Sequence, residues 1–267
     1  MMENNPYISK KYRILEIIPQ TDIDYTYRIE FDKPLLPGQF LQVSIPKVGE
    51  CPISVSDFGC GYVDMTIRHV GKVTNTIKEL NKGDWIFLRG PYGNGFNMDN
   101  YRGKHLVIAA GGTGLAPVKK IINHFHKNPC EVKRMDVLIG FKTPKDILFK
   151  DEVNEWISNE KINTVLTVDR NDESWACNTG FITDFVCNVK IDDTNNAEVI
   201  IVGPPVMMSC TAREFLKLGI KEENIWVSFE RNMSCGLGKC GHCKVDETYV
   251  CLEGPVFKYN AAKKLID

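Results

Sequence analysis

The first hundred residues alternate short apolar runs with turn-forming residues. Val, Ile, Tyr and Phe dominate the runs, and Pro and Gly separate them, which is the pattern of many short β-strands. Strands at this spacing are typical of a closed barrel or a sandwich. The predicted strands are YRILEII, TYRIEF, QFLQVSIP, ISVSD, YVDMTIRHV and WIFLRG, and one predicted helix, VTNTIKELN at 73–81, interrupts them.

Residues 104 to about 229 follow a different pattern. Runs of strand length alternate here with segments of helical period, which predicts a parallel sheet with crossover helices. The predicted strands are HLVIAA, MDVLIGF, NTVLTVD, EVIIVG and IWVSFE. The predicted helices are LAPVKKIINHFHK, FKDEVNEWI, FITDFVCNV and VMMSCTAREFLKLG.

The two patterns and the remaining C-terminal segment predict three domains. We expect a β-barrel at 1–100, a doubly wound α/β domain at 101–229 and a small module at 230–267. The last segment is too short for a hydrophobic core of its own, so we expect a metal to hold it together.

Composition and charge exclude several classes of partner. Hydrophobic residues make up 43% of the chain, charged residues 25%, and the formal net charge is −1. This balance gives no reason to expect nucleic acid or an anionic membrane as a partner. The N-terminal residues lack the apolar stretch of a signal peptide, and no apolar run is long enough to span a membrane, so we expect a cytoplasmic protein.

Four of the 10 cysteines crowd into one segment, RNMSCGLGKCGHCKVDETYVC. Cys235, Cys240, Cys243 and Cys251 have the C-x4-C-x2-C…C spacing of plant-type [2Fe-2S] ligation. The glycines of this loop would allow left-handed turns and aim backbone N–H groups at sulfur. A short hairpin would return Cys251 to the other three. Structural zinc is the alternative, but zinc sites usually pair two C-x2-C knuckles and only Cys240–Cys243 is one.

Two glycine-containing turns end strands of the α/β region. The segment GGTGLAP leaves a strand and opens a helix, so its N–H groups and the helix dipole could bind a phosphate. It is not the G-x-G-x-x-G fingerprint, and a tight turn without a ligand is the alternative. Gly203-Pro204 ends another strand at the edge where open α/β sheets bind ligands. We expect Met207 and Met208, which follow, in a helix core.

The helix of the barrel region begins at Gly71–Thr74. Backbone N–H groups, a hydroxyl and a lysine at this helix start could bind a phosphate. An ordinary helix start with an N-terminal cap is the alternative.

Seven segments, taken in order, make the chain similar to members of the ferredoxin–NADP reductase superfamily: PISVS, GKVT, GPYGNGF, AGGTGLAPV, LTVDR, VGPPVMM and ERNMSCGLGKCGHC. The resemblance covers nearly the whole chain. It implies an N-terminal FAD-binding β-barrel, a doubly wound parallel-sheet NAD-binding domain and a small C-terminal [2Fe-2S] module.

The resemblance also implies roles for individual residues. Those that would line the flavin ring are Pro52, Ile53, Ser54 and Val55, with Ser54 near flavin N5 as the catalytic residue. Those that would hold the FAD pyrophosphate are Gly71, Lys72, Val73 and Thr74. Those that would hold the NAD pyrophosphate are Gly111, Gly112, Thr113, Gly114 and Pro117, while Gly203 and Pro204 would flank the nicotinamide. The cluster ligands would be Cys235, Cys240, Cys243 and Cys251.

The flavin motif departs from the superfamily at two positions. Cys51 stands where many members have Arg, and Ile53 stands where many have Tyr. A phosphate-binding charge is therefore missing, and Arg68 or Lys72 is expected to compensate for it.

The implied chemistry is an electron relay. NADH delivers two electrons as hydride, an iron–sulfur cluster accepts one at a time, and FAD can do both. Asp169 would hydrogen-bond a ribose 2′-hydroxyl and repel a 2′-phosphate, which favours NADH over NADPH, whereas Arg170 favours NADPH.

Within the superfamily, VGPPVMM and LTVDR make the chain most similar to the B subunits of anaerobic sulfite reductases. That similarity predicts an electron-transfer subunit whose catalytic partners, iron–sulfur and sirohaem subunits of a hetero-oligomeric reductase, carry out sulfite reduction. The alternatives are the electron-transfer subunit of class B dihydroorotate dehydrogenase and the gamma subunit of sulfhydrogenases. An alternative of another class is a non-enzymatic nucleotide-sensing module with a zinc knuckle.

Overall fold

The computed structural model describes residues 5–173 and 175–265. The outermost residues of the first and third predicted domains therefore lie outside the described part. The chain divides into two compact units, Met1–Phe96 with Glu230–Pro255, and Asn97–Phe229 with Val256–Asp267.

The first unit is built on a closed barrel of six strands in the order β1-β2-β5-β4-β3-β6, and every neighbouring pair is antiparallel. Apolar side chains alternate inward along the strands and fill the interior; Ile29, Leu41 and Met65 are fully buried there. The elements are β1 (Lys10–Pro19), β2 (Asp24–Glu30), β3 (Phe40–Ile45), β4 (Gly49–Gly59), β5 (Tyr62–Arg68), α1 (Lys72–Lys78) and β6 (Trp85–Tyr92). The predicted barrel is confirmed.

The second unit is a mostly parallel sheet in the order β10-β9-β8-β7-β11-β12, with β15 at its edge. Every residue of β7 and β11 is buried, as expected of central strands covered on both faces. The elements that first appear in this unit are β7 (His105–Gly111), α2 (Ala116–Lys127), β8 (Arg134–Phe141), α3 (Lys150–Ser158), β9 (Ile162–Val168), β10 (Asn178–Thr179), β11 (Ala197–Val202), α4 (Pro205–Lys217) and β12 (Ile225–Ser228). The predicted doubly wound α/β domain is confirmed.

Short 3₁₀ helices occupy several connections. They are Met98–Asn100, Gly112–Leu115, Pro129–Glu131, Pro144–Asp146, Ile182–Asn188, Thr194–Asn196 and Glu222–Asn224. The segment FITDFVCNV, predicted as an α-helix, is the 3₁₀ helix Ile182–Asn188. Its β-branched residues and its Asp and Asn are weak helix formers, and the segment is too short to make up the difference.

The C-terminal segment contributes elements to both compact units. Its elements are β13 (Lys244–Val245), β14 (Thr248–Tyr249), α5 (Val250–Glu253), β15 (Val256–Lys258) and α6 (Tyr259–Ala262). The β13–β14 hairpin and α5 belong to the barrel unit, whereas β15 pairs antiparallel with β12 in the other unit. The segment is divided because neither part has enough apolar surface for a core of its own. Among the described residues, no helix combines the length and the apolarity needed to cross a membrane.

Candidate functional site

The four clustered cysteines form two pairs. Cys240 lies beside Cys235, and Cys243 lies beside Cys251, whose backbone N–H donates to Cys243 Sγ at 3.4 Å. Cys243 and Cys251 are buried, Cys235 is half-buried and Cys240 is exposed. Two pairs of thiols match a two-iron cluster with four cysteine ligands. Over residues 5–173 and 175–265, no three His, Cys, Asp or Glu side chains are grouped around one single-ion position.

Backbone N–H groups of the loop point at these sulfur atoms. Cys235 Sγ accepts from the N–H groups of Leu237 at 3.3 Å and Lys239 at 3.4 Å. Cys251 Sγ accepts from the N–H of Gly238 at 3.2 Å. Burial raises the pKa of Cys235, but its hydrogen-bond donors outweigh burial and lower the pKa to about 6. At Cys235 the loop therefore stabilises negatively charged sulfur, which is the state of a metal-bound thiolate, whereas burial and the neighbouring Cys243 raise the pKa of Cys251 to about 12.

The loop glycines adopt the backbone that the sequence predicts. Gly236, Gly238 and Gly241 all have positive φ, between 64° and 76°. Gly236 also lies against the ring of Tyr92, where an added Cβ would approach Cδ2 to 2.9 Å. Any larger residue at Gly236 would therefore push the loop away from β6. The thiol pairs, the N–H donors and these turns together fit a [2Fe-2S] cluster.

The residues predicted to line the flavin ring lie on β4, and the strand register decides which way they point. Leu41 pairs with Ile53, and because opposite residues share a face, Ile53 packs with Leu41 against the barrel core. Pro52 and Ser54 point to the other face, and both are half-buried. Val55 is buried in the core. Of the four predicted residues, Pro52 and Ser54 are the ones that face outward.

Arg68, which is expected to compensate for the missing arginine, already has a counter-ion. Asp24 accepts from Arg68 Nε at 2.9 Å and from Nη2 at 3.0 Å. Glu230 is close enough for Arg68 to lower its pKa, although burial has the larger, opposite effect and leaves the pKa of Glu230 raised. Arg68 is therefore oriented by Asp24 rather than mobile.

The first turn of α1 contains the predicted pyrophosphate residues. Thr74 Oγ1 accepts from the N–H of Gly71 at 3.0 Å and from that of Val70 at 3.2 Å, so the capping alternative is present in the structure. By helix geometry, the N–H groups of Lys72, Val73 and Thr74 have no acceptor inside the helix. These groups are the ones that could contact a phosphate.

The two glycine turns of the α/β unit meet at one point of the sheet. β7 and β11 are neighbours, with Val202 paired to Ala110, and the strand order reverses between them. Gly114 lies so close to β11 that an added Cβ would come within 2.5 Å of the Val202 carbonyl oxygen. Open α/β sheets bind ligands at the carboxyl ends of the strands beside such a reversal. The structure therefore brings the segment 111–117 and Gly203-Pro204 together at one crevice.

The structure shows where the predicted helix residues Pro117, Met207 and Met208 lie. Pro117 lies in the first turn of α2, as predicted. Met208 is buried in the core, also as predicted, but Met207 is only half-buried and its sulfur lies against Gly111 and Gly203. Met207 therefore lines the crevice instead of the helix core.

Asp169 directly follows β9 at the same carboxyl edge and is exposed. Partial desolvation raises the pKa of its carboxyl group, against the opposing charges of Lys142 and Arg170. An acidic side chain and two cations thus lie together at the carboxyl edge of the sheet.

Sequence reasoning missed a set of barrel residues beside the cysteine segment. Gln42 and Arg89 donate to backbone carbonyls of the segment, and Asn94 donates to a carbonyl just after it. Glu50 and Tyr92 accept hydrogen bonds from Arg89. The available signal was an arginine inside the apolar strand WIFLRG, next to the glycine loop GPYGNGF. A charge at such a position has to find buried partners, but the sequence does not say which.

The matched family models cover all three regions. The oxidoreductase FAD-binding domain matches residues 25–96, the oxidoreductase NAD-binding domain matches 108–213, and the iron-sulfur cluster binding domain of dihydroorotate dehydrogenase B matches 230–263. The fold and the thiol pairs thus define a flavin- and iron–sulfur-dependent, NAD-linked oxidoreductase.

Whole-chain relatives agree with these domain matches. Sulfhydrogenase 1 subunit gamma of Pyrococcus furiosus is 34% identical, with 97% of this chain and 94% of that protein covered. The probable electron transfer subunit of dihydroorotate dehydrogenase B (NAD(+)) of the same organism is 30% identical, with 90% and 85% covered. The solved structure of an NADH-dependent reduced ferredoxin–NADP oxidoreductase has the same fold, with a TM-score of 0.71 at 24% identity, and the match covers 93% of this chain and 88% of that one.

The chain therefore belongs to the ferredoxin–NADP reductase-like family that contains these sulfhydrogenase gamma and dihydroorotate dehydrogenase B electron transfer subunits. It has FAD-binding, NAD-binding and iron–sulfur-binding domains. The relatives support the iron–sulfur interpretation rather than the zinc knuckle. They support the sulfhydrogenase and dihydroorotate dehydrogenase alternatives better than the sulfite reductase identification.

Proposed function

We propose that this chain is the NADH-oxidising electron-transfer subunit of a hetero-oligomeric oxidoreductase, and that its role is that of a sulfhydrogenase gamma subunit. The observation that carries the proposal is the position of the thiol pairs. They lie in the same compact unit as the flavin barrel, within a chain that matches a sulfhydrogenase gamma subunit over nearly its full length.

The proposal gives each unit a distinct task. FAD, when bound, supplies the step between a two-electron nicotinamide donor and a one-electron iron–sulfur acceptor. Pro52 and Ser54 would contact the flavin ring, and Ser54 would offer a hydroxyl near N5. Arg68 and the first turn of α1 would neutralise and hydrogen-bond the pyrophosphate. The crevice between Gly111 and Gly203 would hold the nicotinamide nucleotide.

Asp169 supports NADH as the donor. A carboxylate at the end of β9 would accept a hydrogen bond from a ribose 2′-hydroxyl and would repel a 2′-phosphate. Lys142 and Arg170 reduce this preference, because both are cations near the same position.

The identity of the catalytic partner follows from the relatives only by analogy. The name of the first relative describes a gamma subunit, and that of the second describes an electron transfer subunit, so catalytic partner subunits are expected. Sulfite reduction, with iron–sulfur and sirohaem partners, is the second candidate, and the segments VGPPVMM and LTVDR favour it. A dihydroorotate dehydrogenase partner is the third.

Anaerobic purification followed by visible spectroscopy tests the core of the proposal. We expect bound FAD, iron and acid-labile sulfide, and bleaching by NADH at lower concentration than by NADPH. A preparation protected from oxygen that contains neither iron nor flavin would refute the function.

Isolation of the native complex tests the partner. A hydrogenase-type catalytic subunit supports the proposal, a sirohaem subunit supports sulfite reduction, and an FMN-binding barrel supports pyrimidine synthesis. A chain that purifies alone from its source at native abundance contradicts all three.

A further inference from the structure

Three consecutive backbone carbonyls at the start of the cysteine loop accept hydrogen bonds from side chains of the barrel. Arg89 Nη2 donates to the carbonyl of Ser234 at 2.6 Å, and Arg89 Nη1 donates to that of Cys235. Gln42 Nε2 donates, more weakly, to the carbonyl of Met233 at 3.5 Å. The first cysteine of the loop is therefore attached to β6 through its own carbonyl, and Met233, two residues before it, is attached to β3.

Every N–H group of the Arg89 guanidinium has a hydrogen-bond acceptor. Its Nε donates to Glu50 Oε1 at 2.8 Å, its Nη2 donates to Glu50 Oε2, and its Nη1 donates to Tyr92 Oη at 3.1 Å. With the two carbonyls, the five N–H groups of the guanidinium have five acceptors. Arg89 is only 6% exposed, so this charge is buried beside the loop. A lysine offers three donors without the planar fork and could not reproduce the set.

The same side chains lie next to the outward-facing residues of the predicted flavin motif. Gln42 pairs with Pro52 across the β3–β4 ladder, and Glu50 lies on β4 itself. Because opposite residues share a face, Gln42 and Pro52 point to the same side of the barrel wall. The residues that hold the cysteine loop and the residue that would contact flavin are thus direct neighbours.

A second set of hydrogen bonds holds the other end of the cysteine segment, after Cys251. The backbone N–H of Asn94 donates to the carbonyl of Gly254 at 2.6 Å, and Asn94 Nδ2 donates to that of Glu253 at 2.7 Å. Both acceptors follow Cys251 closely in sequence. Contacts from β6 and the turn after it therefore hold the cysteine segment at its first cysteine and just after its last.

We propose that Arg89 is a positioning residue that holds the cluster loop against the flavin strand β4, and that its buried charge, balanced by Glu50, raises the reduction potential of the cluster. The inference rests on the proposed function, because it requires that the four thiols hold a cluster. Reduction adds negative charge to a cluster that thiolates already make anionic, and a nearby cation favours the reduced form. Loss of the cation lowers the potential, and loss of its counter-ion raises it.

The test is an EPR-monitored redox titration of the full chain, purified without oxygen. The variants are Arg89→Gln, Arg89→Lys and Glu50→Gln, and the control is Arg28→Gln. Arg28 forms a two-point ion pair with Asp64 in the same barrel, at 2.8 Å for both hydrogen bonds. The control therefore removes an arginine and its salt bridge elsewhere in the barrel wall.

We expect the cluster potential to fall in Arg89→Gln, to rise in Glu50→Gln, and to stay at the wild-type value in Arg28→Gln. Arg89→Lys should keep a potential closer to wild type but broaden the EPR signal, because one of the two carbonyl contacts is lost. If Arg89→Gln does not assemble a cluster, the inference is tested by whether the reduction potential of the cluster rises or falls in Glu50→Gln. Equal potentials in wild type and Glu50→Gln would overturn the inference alone, whereas a wild-type chain without iron would overturn the proposed function.

Discussion

Asp24 and Arg68 face each other across the β2–β5 ladder and are joined by two hydrogen bonds, Nε–Oδ1 at 2.9 Å and Nη2–Oδ2 at 3.0 Å. The Asp24 side chain is almost fully buried, while about a third of the Arg68 side chain is exposed. The buried carboxylate therefore fixes the direction of a cation that remains partly exposed to solvent. This matters because Cys51 replaces the arginine that many members of the superfamily have in the flavin motif.

We predict that Asp24→Asn weakens FAD binding about tenfold, or about 1.4 kcal/mol, because Arg68 keeps its charge but loses its fixed direction. Fluorescence titration of the FAD-free chain measures the change. Asp64→Asn is the matched control. Asp64 pairs with Arg28 in the same β2–β5 ladder, but there the arginine lies on β2 and the aspartate on β5. Equal losses of affinity in the two variants would show that Arg68 has no specific part in FAD binding.

The sequence predicts the fold well because both patterns are periodic. Alternating apolar residues give the six barrel strands, and a continuous apolar run such as HLVIAA gives a buried parallel strand. The division of the C-terminal segment is not predictable in this way. It depends on the pairing of β15 with β12. The three residues of β15 contain no local pattern that would indicate which strand they pair with.

The sequence predicts those parts of the site whose residues lie close together along the chain. The four cysteines and the glycine turns are local signals, and the structure brings each set together. The Arg89 contacts are different, because Arg89 and Cys235 are 146 residues apart and no local pattern connects them. The position of Ile53 is a third case. Its core-facing direction follows from its pairing with Leu41, which is a matter of strand register.

Gly114 gives a prediction for the nucleotide crevice. Gly114→Ala would place a methyl group within 2.5 Å of the Val202 carbonyl oxygen, and backbone cannot move aside as a flexible side chain can. We expect the KM for NADH to rise about tenfold while FAD remains bound, as measured by steady-state reduction of a dye acceptor.

Gly103→Ala is the control for that experiment. Gly103 has a φ of +70° and open space around its Cα, so alanine there costs about 1–2 kcal/mol of backbone strain without a clash. A similar rise in KM in the Gly103 variant would mean that general destabilisation, and not the crevice, causes the effect.

His69 gives a prediction for pH dependence. Burial lowers its pKa below the usual 6.5, Lys78 lowers it further, and Asp24 opposes them. The folded chain therefore keeps His69 neutral at a pH where the unfolded chain binds a proton. The free energy of unfolding should be unaffected by this residue above pH 6.5 and should fall as the pH drops below it, by at most about 1.4 kcal/mol per pH unit.

Denaturant unfolding of the wild type and His69→Phe at pH 7.5 and 5.5 measures this contribution. Phenylalanine keeps the ring contacts of His69 with Tyr25 and Tyr27, and Tyr27 Oη keeps its hydrogen bond to the Ile77 carbonyl. The pH-dependent loss should be smaller in the variant. An identical loss in both proteins would assign the effect to other groups.

Asp169 gives a prediction for cofactor choice. We expect the wild type to have a higher kcat/KM for NADH than for NADPH, and Asp169→Asn to reduce the ratio about tenfold, because repulsion of the 2′-phosphate is lost. Asp151→Asn, at an exposed acid in the first turn of α3, should leave the ratio unchanged. A wild-type preference for NADPH would mean that Lys142 and Arg170 outweigh Asp169.

Cys240 gives a prediction that separates the two redox centres. Cys240→Ser removes one of the four thiols, and because Cys240 is exposed, the change should leave the barrel core intact. We expect loss of iron and acid-labile sulfide, full retention of FAD, and NADH-dependent dye reduction within about twofold of wild type. Cys187→Ser, in the 3₁₀ helix Ile182–Asn188, should keep both centres. The residues predicted to contact flavin lie on β4 and α1, and neither element contains a cluster cysteine. A folded Cys240 variant whose flavin is no longer reduced by NADH would contradict the separation.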